Sequence, residues 1–169
     1  PGVAVVSGRD RLERALRSAA VSTAVAASHV APSLGEDPGL AWSLALLEPV
    51  GGYELLKLLL AEDFDPGPFR AATLDWYRAT SGRALARKLN LPVAFADVLG
   101  SDGQVSSRSS VAEQLIFFAK QMVAAEQVGR EWTSDDPELA DRYASLAVDE
   151  ALADRIGRDA SALRELLSL

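Results

Sequence analysis

Apolar residues recur at intervals of three and four along most of this chain, which is the spacing of one face of an α-helix. The most regular run alternates steps of four and three and comprises Val111, Leu115, Phe118, Met122 and Ala125. A second run advances mostly by four and comprises Leu12, Leu16, Ala20, Thr23 and Ala27. Leu and Ala dominate the sequence and runs of β-branched residues are scarce, so the pattern predicts an all-α protein.

Proline, glycine and short polar residues divide the chain into about eight helical segments, which predicts a compact multi-helix bundle. Asp37 followed by Pro38 has the residue types of an N-cap and a first helical position. The predicted segments are a first helix capped by Ser7 and ended by Pro32, a second from Pro38 to about Leu47, a third at Tyr53–Ala61, a long one at Phe69–Leu89, a short one from Pro92 to Gly100, the regular run from Val111, one opened by Ser134 with Pro137, and two short ones at Asp149–Ile156 and Ser161–Leu167.

Two stretches without periodicity are predicted to lie at the surface. Residues 63–68 contain two prolines and a glycine and are typical of a turn. Gly100–Ser110 is small and polar, as in an exposed loop. The sequence shows no internal repeat, low-complexity tract or interdomain linker, so residues 1–169 are expected to form a single helical domain.

Composition and charge indicate the cellular compartment of the chain and the kinds of partner it should lack. The chain has no cysteine, which excludes disulfides and thiolate metal sites and suits a reducing cytoplasm. Its net charge is −7 without a basic run, so it should repel phosphate backbones, and we expect no nucleic-acid partner. The longest apolar stretches, such as Val21–Ala27, are too short to cross a bilayer. These features predict a soluble, cytoplasmic chain with no membrane partner.

The beginning of the sequence adds two expectations. The opening Pro1-Gly-Val-Ala-Val-Val lacks the basic region that begins a signal peptide. A start at proline instead of methionine indicates an excised or processed piece of a longer protein.

His29 is the single histidine, near the end of the first predicted helix, where the helix dipole favours a cation. One histidine does not supply the two or three imidazoles of common zinc and iron sites. A hydrolase triad through His29 would need a nucleophile elbow, and no G-x-S-x-G occurs. His29 is therefore interpreted as a surface or half-buried residue at a helix end.

The acidic clusters lie at predicted helix ends and turns. They are Glu36-Asp37, Glu62-Asp63 with Asp65, and Asp135-Asp136. Negative charge before a helix start is favoured by capping and by the dipole, and the middle cluster does not match the spacing of a calcium loop. Phosphate-binding glycine motifs are also missing from the sequence. We therefore predict no catalytic, cofactor-binding or metal residues, and no cofactor.

Basic and aromatic residues are interpreted in the same way. Arg83, Arg87 and Lys88 lack interleaved aromatics and are predicted to form a solvated face. Trp76 lies within a helical pattern and is expected in the core. Trp132, in a polar stretch, is the best candidate for an exposed contact, although packing is the preferred interpretation.

Four stretches share the order and spacing of a known family. They are Leu16-Arg-Ser-Ala-Ala-Val-Ser-Thr-Ala-Val-Ala-Ala, Gly39-Leu-Ala-Trp-Ser-Leu-Ala-Leu-Leu-Glu-Pro-Val-Gly-Gly-Tyr, Gly82-Arg-Ala-Leu-Ala-Arg-Lys-Leu-Asn-Leu-Pro-Val-Ala-Phe-Ala-Asp-Val-Leu and Leu115-Ile-Phe-Phe-Ala-Lys-Gln-Met. These stretches resemble the HDOD domain, a regulatory branch of the HD superfamily, and the likeness covers roughly residues 10 to 165. The resemblance rests on the positions of the apolar residues, of glycine and of proline, and on the order of the segments.

The resemblance implies that the metal ligands of catalytic HD enzymes have been replaced. In that family the second helix ends in Gly-Leu-Leu-His-Asp-Ile-Gly, and aligning Ala45-Leu-Leu-Glu-Pro-Val-Gly places Glu48 at the histidine and Pro49 at the aspartate. Lys120 replaces a later acid, and Arg17 stands in place of the histidine of the first helix. Gly100-Ser-Asp-Gly stands where paired histidines often follow. Proline and lysine supply neither carboxylate nor imidazole, so metal-dependent phosphohydrolysis is disfavoured.

The resemblance thus implies a non-catalytic signal-transduction or protein-interaction module, within a bacterial regulatory protein, whose partner is another protein or an adjacent regulatory domain. Two alternatives remain open. One is an enzyme or small-ligand binder with a site rebuilt from Glu48, Glu54 and Lys120, because an acid and a lysine in a helical cleft can transfer protons or hold a charged ligand. The other is a helical scaffold or a homo-oligomerisation domain.

Overall fold

The computed structural model describes residues 8–50, 53, 71–128, 135–147 and 150–167. These residues form seven α-helices and contain no strand, which confirms the all-α prediction. The helices are α1 (Gly8–Val30), α2 (Pro38–Leu47), α3 (Ala71–Lys88), α4 (Val93–Gly100), α5 (Val111–Val128), α6 (Pro137–Ala147) and α7 (Glu150–Leu166), with a 3-10 turn at Ala31–Leu34 after α1. Ser7, Ser134 and the predicted third helix after Tyr53 lie outside the described residues, as does the predicted turn at 63–68.

Helix α1 is the centre of the bundle and packs against α2, α5 and α7. Every residue from Ala20 to Ala27 is buried, so this part of the helix has no solvent face. The sequence predicts a single apolar stripe on α1, whereas this part of α1 is buried on all sides. Small side chains such as Ala24 and Ala26 explain the difference, because they let neighbouring helices approach from several sides at once.

Helix α2 begins where the sequence predicts it. The side chain of Asp37 accepts a hydrogen bond from the backbone N–H of Leu40 at 2.7 Å, which is the N-cap geometry. Pro38 occupies the first turn, where its missing N–H costs nothing. Residue Glu48 follows at the C-terminal end, with its backbone N–H bonded to Leu44 O at 2.9 Å. The end of α2 thereby fixes the position of Glu48.

Helices α3 and α4 approach each other closely at a glycine. A Cβ placed at Gly82 would overlap the backbone carbonyl of Leu99. The turn between the two helices is equally constrained, since Asn90 adopts φ +52°, a conformation that asparagine tolerates better than most residues. Because Gly82 has no side chain, α3 can pack closely against α4 at this point.

The predicted break near the end of the chain is wrong. The two short helices expected at Asp149–Ile156 and Ser161–Leu167 are one continuous helix, α7. The buried residues Leu152, Ile156 and Ala160 lie at four-residue spacing on either side of Gly157. Their packing outweighs the propensity cost of a single glycine, which is about 1 kcal/mol.

A second small core joins α5 to α6. Phe118, Leu139 and Tyr143 are buried together, and the rings of Phe118 and Tyr143 lie 5.9 Å apart between centroids. Burial raises the pKa of the Tyr143 phenol above its usual range, because the phenolate would lose its hydration. This contact fixes α6 beside the N-terminal part of α5.

The tryptophans differ from the sequence expectation. Trp76 is 65% exposed on α3, so its predicted place in the core is wrong. Trp42 is half-buried and packs against the core from α2, whereas Trp132 lies outside the described residues. Among the helices described, none combines the length and the apolar character that a bilayer crossing requires.

Candidate functional site

Glu48, Arg78 and Lys120 meet although they come from three separate elements: the end of α2, the middle of α3 and the middle of α5. Arg78 Nη1 lies 2.6 Å from Glu48 Oε1, and Lys120 Nζ lies 2.7 Å from the same oxygen. We call these three residues the Glu48 cluster. Glu48 and Lys120 are 72 residues apart in the sequence, so this contact depends on how α2 and α5 pack against α1.

The carboxylate of Glu48 is buried, with 9% of its side chain exposed. A buried carboxylate is costly unless it is paired and hydrogen bonded, and both cations here donate charge-assisted hydrogen bonds to it. The Lys120 side chain is 44% exposed, so its ammonium reaches the cluster from the solvent side. The cluster therefore has a buried anion at its base and a solvent-accessible cation at its edge.

Arg78 was not selected as a site residue in the sequence analysis. Its side chain is 20% exposed, and besides Glu48 it donates from Nη2 to the backbone oxygen of Ser101 at 3.3 Å. Nothing in the spacing of the sequence marks it, because Arg78 is brought to Glu48 by the orientation of α3. The close packing at Gly82 sets that orientation.

A small cavity of about 40 Å³ lies beside the cluster. Its wall is mostly apolar and includes Val98, Ile116 and Phe117, while Glu48, Arg78 and Lys120 supply polar groups. At about 10–15 Å³ per water position, this space holds roughly three water molecules. Typical small-molecule sites are about 300–1,000 Å³, so the cavity is too small for a nucleotide or a cofactor.

The loop after α4 forms one side of the cavity through Ser101, Gly103 and Val105. The sequence predicted an exposed loop here, but several of its residues are half-buried and fixed by hydrogen bonds. Gln114 is buried on α5 and donates from Nε2 to the carbonyl oxygens of Ser107 and Ser109, at 3.1 and 2.8 Å. The loop therefore serves as a structured wall.

Asp136 holds the same loop from the other side. Its carboxylate accepts a hydrogen bond from the backbone N–H of Ser107 at 2.8 Å and also caps α6 through Leu139 N at 3.2 Å. These backbone donors, first Ser107 and then Leu139, lower the pKa of Asp136 below its usual value. Asp136 thus caps α6, as predicted for acids before a helix start, and also anchors the loop.

Glu113 also lines the cavity, but its carboxylate belongs to a helix cap. Its Oε2 accepts hydrogen bonds from the backbone N–H and the hydroxyl of Ser110, at 3.0 and 3.2 Å. The Ser110 hydroxyl in turn accepts a bond from Glu113 N at 3.3 Å, which completes a capping box at the start of α5. The positive end of the α5 dipole compensates the charge of Glu113 at that end of the cavity.

Of the other positions named by the HDOD alignment, Ser101 contacts the cluster through its backbone oxygen, whereas Arg17 and Pro49 do not join it. Arg17 is exposed on α1, and the ion pair that it forms is with Glu13, at 3.9 Å. Pro49 follows Glu48 and is half-buried, without a group that could donate or accept through its side chain. Glu54, the third residue of the rebuilt-site alternative, lies outside the described residues.

His29 lies away from this cluster, at the last turn of α1. It is half-buried, which confirms the sequence interpretation, and its Nε2 is 2.9 Å from Asp159 Oδ2 on α7. A surface groove of about 300 Å³ beside the pair is lined mainly by Val25, Trp42 and Leu163. The histidine therefore links the end of α1 to α7.

Among the residues that the structure describes, no group of three or more His, Asp or Glu side chains is arranged so that it could hold a metal ion. Comparison with models of protein families, with curated proteins and with solved structures finds no match for this chain.

Proposed function

We propose that this chain is a non-catalytic signal-transduction or protein-interaction module of the HDOD type, in which ion pairing has replaced the metal site. One observation carries the proposal. The two positions that the alignment assigns to ligands on different helices, Glu48 and Lys120, lie 2.7 Å apart. Residues taken from unrelated places in a Leu/Ala-rich helical chain have no reason to meet in this way.

The charges of the cluster argue against catalysis by a divalent ion. A metal at Glu48 would compete with the ammonium of Lys120 and the guanidinium of Arg78 for the same carboxylate oxygen. Both cations already lie on this oxygen, so their positive charge would repel the ion at short range. Pro49 offers no ligand in return. The cluster instead stabilises the junction of α2, α3 and α5.

The partner that fits this role is a protein, or a regulatory domain of the same bacterial polypeptide, in the cytoplasm. The net charge of −7 disfavours nucleic acid. Exposed apolar side chains on α3 and α4, among them Trp76 and Val93, provide surface suited to a protein contact.

Metal analysis of the purified chain tests the non-catalytic part of the proposal. After passage over a chelating resin and incubation with Mn²⁺ or Mg²⁺, elemental analysis should find no stoichiometric ion. Hydrolysis of bis(p-nitrophenyl) phosphate should not exceed the buffer rate, with a catalytic HD phosphohydrolase assayed alongside. One bound ion per chain, or metal-dependent turnover, would overturn the proposal.

Hydrogen–deuterium exchange tests the interaction part. Amide exchange in this chain is compared with that of the same residues in the full reading frame that encodes it. An interaction module should gain protection around exposed apolar residues such as Trp76 and Val93 when a neighbouring domain is present. Identical exchange in both contexts would contradict an intramolecular partner, and light scattering of the isolated chain distinguishes self-association from binding to another protein.

The cavity beside Glu48 favours the small-ligand version of the rebuilt-site alternative over the enzyme version. The acid and the lysine do meet at a concave surface, as a rebuilt site requires. The volume of about 40 Å³ restricts any occupant to a few atoms. A large substrate does not fit inside, so this observation supports a small ligand and gives no support to an enzyme for nucleotides or cofactors.

A further inference from the structure

We infer that the cavity beside the Glu48 cluster binds the carboxylate of a short-chain acid, of the size of acetate or propionate. This inference deepens the proposed function and rests on it, because it assumes that Arg78 and Lys120 remain at Glu48 and that no metal displaces them. It assigns to the module a small-molecule signal of defined chemistry.

The first argument is the surplus of hydrogen-bond donors. Arg78 uses one hydrogen of Nη1 on Glu48 and one of Nη2 on Ser101, and Lys120 uses one hydrogen on Glu48. The remaining N–H groups of both side chains make no hydrogen bond to the described residues. Guanidinium and ammonium groups donate only, so these positions can donate to an acceptor that enters the cavity.

The second argument is charge. Two cations share one buried carboxylate, so the cluster carries a net positive charge at the edge of the cavity. Among the described residues, Glu113 is the other acid that lines the cavity, and it is occupied by the Ser110 cap at the start of α5. Its charge is compensated by the helix dipole and by these hydrogen bonds. An anion therefore gains most by binding at the end of the cavity where Arg78 and Lys120 lie.

The third argument is the apolar wall. Val98, Ile116 and Phe117 face the same small space as the two cations. A sulfate or phosphate ion would lose water against this wall without replacement hydrogen bonds, which is unfavourable. A monocarboxylate places its two oxygens on the cations and its methyl or ethyl group against the wall. The volume of about 40 Å³ limits the length of that alkyl group.

Isothermal titration and ¹H–¹⁵N spectra of the metal-free chain test this inference, in a carboxylate-free buffer at constant ionic strength. Sodium acetate and sodium propionate should give saturable shifts in amides around Ser101 and Ile116. Sodium chloride, sodium sulfate and sodium benzoate should not, the last because its ring exceeds the cavity. Equal shifts with chloride or sulfate would show unspecific anion binding, and equal shifts with benzoate would place the ligand elsewhere; either result overturns the inference.

Substitutions locate the binding. Arg78→Gln and Lys120→Gln should each weaken propionate binding by about tenfold or more, since each removes a charge-assisted hydrogen bond to the ligand. Arg87→Gln and Lys88→Gln, which change exposed residues of the same helix α3, are the matched controls and should bind as the unaltered chain does. Equal losses in the controls would contradict the assignment.

A blocking variant guards against loss of structure in Arg78→Gln. Val105 lines the cavity, so Val105→Phe should fill part of this space and leave both cations unchanged; it should abolish propionate binding while the helical circular dichroism is retained. Retained binding would overturn the inference. A chain that binds neither propionate nor metal refutes the carboxylate ligand alone, whereas a stoichiometric metal ion refutes the proposed function itself.

Discussion

At the scale of single residues, Glu48 is a buried charge on which the stability of the fold is expected to depend. It is a buried anion that holds two cations on one oxygen, and its neutral analogue would leave Arg78 and Lys120 facing each other. Breaking a fully buried pair costs about 3–5 kcal/mol, and the partial exposure of both cations reduces our expectation for Glu48→Gln to about 2 kcal/mol.

Urea unfolding measures this change in free energy, with Glu138→Gln as the control. Glu138 pairs with Arg142 at 2.8 Å on the surface of α6, and exposed pairs of this kind contribute about 0–1 kcal/mol. Equal effects of the two substitutions would contradict the structural role assigned to the Glu48 cluster.

Asp136 should make the free energy of unfolding depend on pH in the acidic range. Its pKa is lowered in the folded protein because Ser107 and Leu139 donate backbone hydrogen bonds to the carboxylate. A group with a lowered folded pKa stabilises the fold fully above its unfolded value, near 3.8, and loses this contribution as pH falls through the folded value. Unfolding of Asp136→Asn should therefore differ most from the unaltered chain near pH 7, and the difference should shrink towards pH 3. A difference independent of pH would exclude this account.

The residues of the candidate site were predictable only in part. Glu48 and Lys120 were singled out because a family pattern related positions far apart in the chain, and the structure brings them together. Arg78 carries no such mark, since its contact depends on the rotation of α3 about its own axis. The exposure of Trp76 has the same cause: a helical period predicts that a face exists, and only packing decides whether that face is buried.

At the scale of the elements, the contact at Gly82 decides how α3 lies on α4. An added methyl group would collide with the carbonyl of Leu99, and neither backbone can move without moving its helix. Overpacking of this kind costs about 1–3 kcal/mol, so we expect Gly82→Ala to destabilise the fold by about that amount. Thermal unfolding measures the effect, and Arg87→Ala on the exposed side of α3 should leave the melting temperature nearly unchanged.

The same substitution should also affect the cluster. A displaced α3 would carry Arg78 away from Glu48, so Gly82→Ala should weaken binding of propionate as well as stability. A Gly82→Ala chain with native stability would show that α3 and α4 lie farther apart than described.

The boundaries of most described helices can be predicted from local chemistry, and the exception is the continuous helix α7. Asp37, Pro38, Asn90 and Pro92 each act through their own backbone geometry, so their effect can be predicted without knowledge of the fold. Gly157 also has a local preference, against helix, but α7 continues through it because Leu152 and Ile156 before it and Ala160 after it are buried in one core. The burial of these residues in the core cannot be predicted from the glycine itself.

At the scale of the whole molecule, stability depends on small side chains in α1. Ala27 is fully buried within the core that α1 forms with its neighbouring helices. A larger side chain there has no free space and should separate the packed helices, so we expect Ala27→Leu to cost about 1–3 kcal/mol despite its greater hydrophobicity.

Chemical unfolding tests this expectation against Ala15→Leu, a substitution at an exposed position of the same helix. That control should change the free energy of unfolding by no more than about 0.5 kcal/mol. An Ala27→Leu chain more stable than the original would show that the core around α1 contains space that the structure does not show.

The link between His29 and Asp159 has a practical consequence. Because the sequence contains one histidine, the imidazole gives a single set of ring resonances that needs no assignment. That ring bridges the last turn of α1 and the middle of α7, across 130 residues of sequence. Its spectrum therefore reports directly whether the last helix is seated on the first, so one peak can follow the closure of the chain during refolding, truncation or partner binding.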